Sequence, residues 1–364
     1  MFNTHNPLVK RTFSSWHMLK IFIFLLTAAY TENIESREGI MTFNDPMEPT
    51  IDPKKICEDY PDLNSQQRNI CQKYPRATAS AMQGIELSLH ECKRQFERHR
   101  WNCSNLDGRI IGDHEMLKTG YKESSFTQAV AAAGVLHQIA RACSLGKIPA
   151  CGCERDPYVS DFEWKGCSHD LGFGAKFSRR FLQNQEEGVH LIMQAQNSKV
   201  GRKAVIDQKS TKCKCHGLSS SCEIKTCWLS TPDFQAVGSR LKTIYSTSVM
   251  VDKEKALEGE LVESDEVREM RGHETRANIN KNMIHTERSP TYCEPILSLN
   301  IAGTSGRVCN STTSERDSCA ALCCGRGYFT KKIRRVEKCN CQFHWCCYVV
   351  CDKCEYDEWV TVCK

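Results

Sequence analysis

Twenty-four cysteines in 364 residues leave this chain few ways to fold, and twelve of them lie between Pro290 and Lys364. An even count at this density reads as a disulfide framework, which forms and persists only in an oxidising compartment. The N-terminus agrees with that. Lys10, Arg11 and Lys20 precede the apolar run Ile21 to Ala29, the pattern of a secretory signal peptide that ends in small residues. The run is far shorter than the ~20 residues a bilayer span needs. Residues 1–30 are therefore assigned to a signal peptide, with Met18 as an alternative start. Asn102-Cys-Ser and Asn310-Ser-Thr are glycosylation sequons, which have meaning on the same route. A net charge of +5 argues only weakly for anionic partners and not for a nucleic-acid binder. The expectation is a secreted, oxidised glycoprotein.

Along the chain, residues 31–54 form a polar leader and residues 55–251 a helical domain. Cys57 and Cys71 flank a turn and a helix start. Met82, Ile85, Leu89, Cys92 and Phe96 recur at spacings of three and four, one buried stripe of an amphipathic helix. A bridge from Cys92 to Cys103 would staple its end. Ser124 to Cys143 has little polar surface, so it is read as a central, buried helix. Cys143, Cys151, Cys153 and Cys167 cluster in the turn-rich connection that follows. Phe173, Phe177 and Phe181 open a helix expected to continue towards Met193, with a further helical turn or two over Ser198 to Asp207. Residues 252–285 are crowded with charge and lack cysteine, which reads as a linker with at most transient helix. Residues 286–364 are cysteine-rich and favour strands and turns, and a unit of that size needs cross-links to offset a thin core.

Lys212 to Trp228 is the most informative stretch. Cys213, Cys215, Cys222 and Cys227 bracket a polar loop, His216 to Ser221. Nested pairing, Cys213 with Cys227 and Cys215 with Cys222, would place Ser219 near the tip of a stiff hairpin and present its hydroxyl. Four cysteines allow three connectivities, and spacing alone leaves them open. A nucleophilic Ser219 is disfavoured, because the second glycine of a nucleophile elbow is missing and no strand-turn-helix context surrounds it. Cys213-x-Cys215, Cys339-x-Cys341 and Cys351-x-x-Cys354 could each pass for half a zinc site. Behind a signal peptide, disulfides are the better reading. Lys331 to Arg335 is read mainly as the solvated face of a hairpin, with contact to heparan sulfate proteoglycans as the lesser reading.

The run Cys213 to Cys222 followed by Lys225-Thr-Cys-Trp228 resembles the lipid-acceptor hairpin of Wnt signalling proteins. Trp164-Lys-Gly-Cys-Ser, Phe173-Gly, Gly201-Arg-Lys-Ala-Val and the tail cysteine spacings are similar to the same family, across roughly residues 55–364. There are departures: Ser220 stands where the family has glycine, Lys199-Val200 where it has an acidic residue and alanine, and Lys165 where it has glycine. The resemblance implies an α+β fold, with a helical, disulfide-bridged N-terminal domain carrying the lipidated hairpin and a small cystine-knot-like C-terminal domain. It implies tail bridges 293–324, 309–319, 323–363, 339–354, 341–351 and 346–347. It further implies palmitoleate esterified to Ser219, and no enzymatic activity, metal or other cofactor. Leu218 and Ser219 would enter a groove of the Frizzled cysteine-rich domain. Phe343, Trp345, the vicinal Cys346–Cys347 bridge and Tyr348 would form a second, apolar fingertip. The other implied partners are an LDL-receptor-related co-receptor, a membrane-bound O-acyltransferase and a Wnt export receptor. A secreted hydrolase and a lipid-free matrix protein are the rival classes.

Overall fold

Side-chain caps start the helices of intermediate length, while the three longest begin without one. Short α1 (Ile56–Asp59) leads into α2 (Ser65–Lys73). Asn64 accepts from Gln67 N at 2.8 Å and Gln67 Oε1 accepts from Asn64 N at 3.0 Å, a capping box that satisfies two donors at once. Pro75 opens α3 (Pro75–Phe96), where its missing N–H costs nothing. Next come α4 (Lys122–Ser144), α5 (Leu171–Phe181), capped by Asp170, and α6 (Val189–Asp207). This computed structural model describes residues 53, 55–60, 63–106, 114–154, 166–183, 188–271, 279–344 and 348–364.

The helix expected to run from Phe173 to Met193 is in fact two. The first ends at Phe181. Gly188 takes φ +86°, a conformation that favours glycine, and α6 begins directly after it. The turn expected at Ser198 to Asp207 is the second half of that helix.

Helix α4 is the core of the N-terminal part, buried along almost its whole length. A helix without a polar face must be covered all round, and α3, α5 and α6 pack on it. Small residues make the approach close. A Cβ added at Gly134 would lie 2.2 Å from the Gly84 carbonyl oxygen of α3, and one added at Gly201 of α6 would lie 1.9 Å from the Ala129 carbonyl oxygen. The Ser88 hydroxyl donates to Val130 O at 2.8 Å, and that of Ser178 donates to Ala132 O at 2.9 Å.

After α6 the chain forms an antiparallel hairpin, β1 (Ser210–Cys215) and β2 (Lys225–Ser230). Helix α7 (Phe234–Ser246), capped by Asp233, then packs on α4 and α3. Phe96, Phe126 and Tyr245 stack edge to face here, with ring centroids 4.9 to 5.9 Å apart. Two short strands, β3 (Val249–Met250) and β4 (Ile284–His285), pair in parallel across the charged stretch. Within that stretch lie α8 (Lys253–Leu257), capped by Asp252, and α9 (Asp265–Arg271). Met193, Val249, Val251 and Ile284 form a small core beneath it.

In the tail, β5 (Val308–Cys309), α10 (Cys319–Leu322), β6 (Tyr328–His344) and β7 (Tyr348–Cys363) follow, with sheet order β5-β7-β6. The register of β6 against β7 shifts between Cys339 and Gln342, where Asn340 has φ 47°. The tail rests on the helical part through backbone acceptors. Arg100 donates through both Nε and Nη2 to Ala321 O, and Arg307 donates to Arg100 O and Glu97 O. At the same junction the buried Glu123 carboxylate accepts from the hydroxyls of Tyr245, Ser289 and Tyr292. Burial, and then the Glu123 charge, push both phenols well above their ordinary pKa.

Among the described residues, disulfides join Cys57–Cys71, Cys92–Cys103, Cys143–Cys151, Cys153–Cys167, Cys213–Cys227 and Cys215–Cys222 in the N-terminal part. The tail carries Cys293–Cys324, Cys309–Cys319, Cys323–Cys363, Cys339–Cys354 and Cys341–Cys351. These tail pairs are the ones the resemblance implies; Cys346–Cys347 falls outside the described residues.

Candidate functional site

The hairpin between α6 and α7 pairs Cys213 directly opposite Cys227 in the strand register, with Cα atoms 4.1 Å apart. Cys215 and Cys222 close the loop beyond it at 4.6 Å. Of the three connectivities, the nested one is present. The loop then turns within a few residues. His216 N donates to Ile224 O at 2.7 Å, Gly217 N to Ser221 O at 3.0 Å, and Ser221 N to Leu218 O at 3.0 Å. At the apex Leu218 is 93% exposed, and Ser219 beside it is exposed too.

Two backbone features make this turn. Gly217 has an ordinary φ of −71°, so its role is close approach. A Cβ there would lie 1.9 Å from Ser221 Oγ and 2.7 Å from the Ser221 carbonyl oxygen. Ser219 and Ser220 both take positive φ, 55° and 62°, a left-handed conformation that costs a residue with a Cβ about 1 kcal/mol or more. Serine at position 220 therefore sits where a glycine would be unstrained.

The hairpin base is held from the side. Gly166 N donates to Cys227 O and His169 N to Leu229 O, both at 2.9 Å, and Cys167 of this flanking strip is bridged to Cys153. A Cβ on Gly166 would meet the Trp228 ring at 2.9 Å. His169 Nδ1 accepts from Thr231 N at 3.1 Å. Burial, and then His137, Arg141 and Lys212, lower its pKa to about 4, so the imidazole is neutral and able to accept. In the sequence Gly217 stands only within the loop His216 to Ser221, and Gly166 only within the landmark Trp164-Lys-Gly-Cys-Ser. Neither run marks a close approach, and nothing in the sequence marks His169.

The arrangement offers no catalytic pairing. His216 Nε2 lies 2.8 Å from Thr226 Oγ1, so the imidazole is engaged by the strand and not by Ser219. The three zinc half-sites are all consumed in disulfides. The sulfurs of Cys309, Cys319 and Cys323 gather within 4.8 Å, but each already belongs to a bridge. No helix among the described residues is long and apolar enough to cross a membrane.

The other expected site residues are far along the chain. At the end of β6, Phe343 is 69% exposed and pairs in register with Val349, also exposed. Trp345, Cys346, Cys347 and the Tyr348 side chain lie outside the described residues. The two sequon asparagines each sit in a local turn. Asn102 Oδ1 accepts from Ser104 N and Oγ, and Asn310 Oδ1 from Thr312 N and Oγ1. The basic run Lys331 to Arg335 is largely neutralised across the hairpin. Lys332 pairs with Asp357, Arg334 with Glu355, and Arg335 with Glu358.

Comparison with known proteins places this geometry. A chain of the solved structure of human WLS in complex with WNT8A is 32% identical, over 79% of this chain and 94% of that one, with a TM-score of 0.58. The Drosophila WntD N-terminal domain-linker is 17% identical over 60% of this chain and 98% of that one, with a TM-score of 0.41. The profile of the Wnt family matches residues 59–364. The chain thus belongs to the Wnt family of secreted signalling ligands, and it is a ligand and not an enzyme.

Proposed function

We propose that this Wnt protein carries palmitoleate esterified to Ser219 and delivers it to a groove of a Frizzled cysteine-rich domain. The observation that carries this is the tip: an exposed serine beside a 93% exposed leucine, on a loop closed by two disulfides. An unmodified tip would gain nothing from exposing Leu218, whereas an acyl chain extends the same apolar surface. Burying it is worth ~0.8 kcal/mol per CH₂, which for sixteen carbons is on the order of 10 kcal/mol offered to a fitting groove. A membrane-bound O-acyltransferase would install the chain. WNT8A is in complex with WLS in its structure, which supports a WLS-type export receptor as a partner here.

The far end of β6 and β7 is the second contact on the same receptor, with Phe343 leading and Trp345, Cys346–Cys347 and Tyr348 completing the fingertip. Two modest contacts on one partner reinforce each other through effective concentration. An LDL-receptor-related co-receptor completes the assembly, outside the cell. Sulfated glycans gain little from Lys331 to Arg335, since three of its four cations are paired. Mass spectrometry of the Cys215–Lys225 peptide from secreted, then reduced, protein tests the reading. A palmitoleoyl increment on Ser219 is expected, and an unmodified peptide from protein that still leaves the cell would remove the lipid mechanism.

A further inference from the structure

We propose that the hairpin also docks reversibly on membrane surfaces bearing anionic headgroups, with Lys209, Lys212, Lys214 and Lys225 as the electrostatic half of the contact. This rests on the acyl reading for its other half. Between Lys209 and Ser230 the chain carries these four lysines against a single acid, Glu223. All four are exposed, and no described acidic side chain pairs with them. The contrast with the tail is internal to the molecule: there Lys332, Arg334 and Arg335 of β6 meet Asp357, Glu355 and Glu358 across the strand. One hairpin matches three of its cations across the strands, while the other is left to find its counter-charge elsewhere.

The placement identifies the occupant. In the register, Lys212 and Lys214 stand opposite Trp228 and Thr226, and Lys225 opposite Cys215. Alternation along a strand puts the first two on one face and Lys225 on the other. Positive charge therefore flanks the shaft on both faces, below a tip that exposes Leu218 and Ile224, 93% and 55%. A fluid layer of headgroups can meet a shaft from every side. Flexible lysine stems can reach the headgroups while the tip enters the acyl region. A single acyl chain binds a bilayer only marginally, and a basic patch is the usual second signal. The result is a docking step that a groove with higher affinity for the chain can reverse.

The test is co-flotation of full-length secreted protein with vesicles of phosphatidylcholine alone, or with phosphatidylserine added to about one fifth, and its peptide mass is read on the same sample. Each lysine is expected to contribute up to about fivefold on the anionic vesicles. Lys209→Gln, Lys212→Gln, Lys214→Gln and Lys225→Gln combined should remove the preference for them. Binding to neutral vesicles should be unchanged, and the four Lys→Arg replacements should retain the preference. The wild-type preference should also fade as salt rises. Equal wild-type binding to both vesicle types would overturn the proposal. So would a fourfold Gln variant that keeps the preference, which would assign the lysines to an acidic protein or glycan. An unacylated peptide would refute the acyl reading separately, and the lysine-dependent difference between vesicle types would still decide the role of the four lysines.

Discussion

Replacing Gly217 by alanine asks whether the tip geometry, and not merely the presence of a serine, is what is recognised. The new Cβ would lie 1.9 Å from Ser221 Oγ and 2.7 Å from Ser221 O. The hydroxyl can rotate away, but the carbonyl is backbone and must retreat by about 0.7 Å to reach an ordinary contact. That motion strains the Gly217 N to Ser221 O bond, now 3.0 Å, which is worth about 1 kcal/mol net. With the steric cost added, about 1–2 kcal/mol of tip stability is at stake, or a roughly five- to thirtyfold loss in population of the native turn where it is marginal. The bridges Cys213–Cys227 and Cys215–Cys222 hold the strands regardless, so secretion competence of the fold and its Tm should not move. The assay is acyl occupancy at Ser219 by mass spectrometry, beside a thermal melt, for Gly217→Ala, Ser221→Ala and the double variant. Occupancy should fall in Gly217→Ala at constant Tm. Ser221→Ala should be close to wild type, and the double variant should recover only in part, because the backbone contact remains. Full occupancy in Gly217→Ala would refute the claim that the closed turn is the recognised form.

Ser220→Gly should relieve the φ of 62° and steady the tip by about 1 kcal/mol. Slower hydrogen exchange at the Ser220 and Ser221 amides would show it, and faster exchange would mean that the serine makes a compensating contact. Gly134→Ala should cost about 3 kcal/mol, because its Cβ would meet Gly84 O at 2.2 Å and Ser88 Oγ at 2.1 Å. Secreted yield should collapse, and normal yield would show that α3 and α4 can part. His99, His169 and His285 each have a pKa lowered to about 4, chiefly by burial. Their neutral forms are favoured in the folded state, so stability is full above about 6.5 and is lost as pH falls from there towards 4. A Tm flat from pH 7 to 5 would contradict their burial. Lys242 Nζ is buried without a hydrogen-bond acceptor, 3.1 Å from the centroid of the Phe96 ring. Burial, and then Arg316, lower its pKa to about 7. Wild-type stability should therefore rise with pH between about 7 and 10.5, relative to Lys242→Met, and run parallel below 7. A constant gap across that range would remove the assigned pKa.

What could be read from the sequence followed the range of each signal. Periodicity is local, so the stripe from Met82 to Phe96 and the apolar length from Ser124 to Cys143 marked α3 and α4 to within a few residues. At its N-terminal end α3 extends further, to Pro75, because Ala77, Ala79 and Ala81 are buried without forming a stripe of large side chains. The break between α5 and α6 was missed because Gly188 looks like any surface glycine until its φ is known. Cysteine order gave the hairpin bridges only as one choice of three, and the structure supplies the choice through the register of β1 on β2. Nothing local shows that Gly217 faces Ser221, or that residues 166–169 brace β2 from the side. The charged stretch reads as solvated because its anchors lie elsewhere. Asn197 holds Ile284 through both its amide and its carbonyl, and β3 meets β4 across the intervening residues.

The two exposed hairpins are stiff for a reason different from that of the helices. Around α4, position is fixed by burial, and the small residues at the crossings let backbones touch. The hairpin at Ser219 and the far end of β6 and β7 have almost no core, and a two-stranded ribbon of this kind is marginal in water. Each is instead closed by nested bridges, Cys213–Cys227 with Cys215–Cys222 and Cys339–Cys354 with Cys341–Cys351. A bridge across a loop of about fifteen residues removes roughly 3 kcal/mol of unfolded-state freedom. That stabilisation leaves the side chains uncommitted, which is why Leu218 and Phe343 can face solvent without collapsing onto the protein. A contact surface built from packing would have to bury the very groups it presents. Built from disulfides, it keeps them available, and reduction should therefore abolish receptor contact before it melts α4.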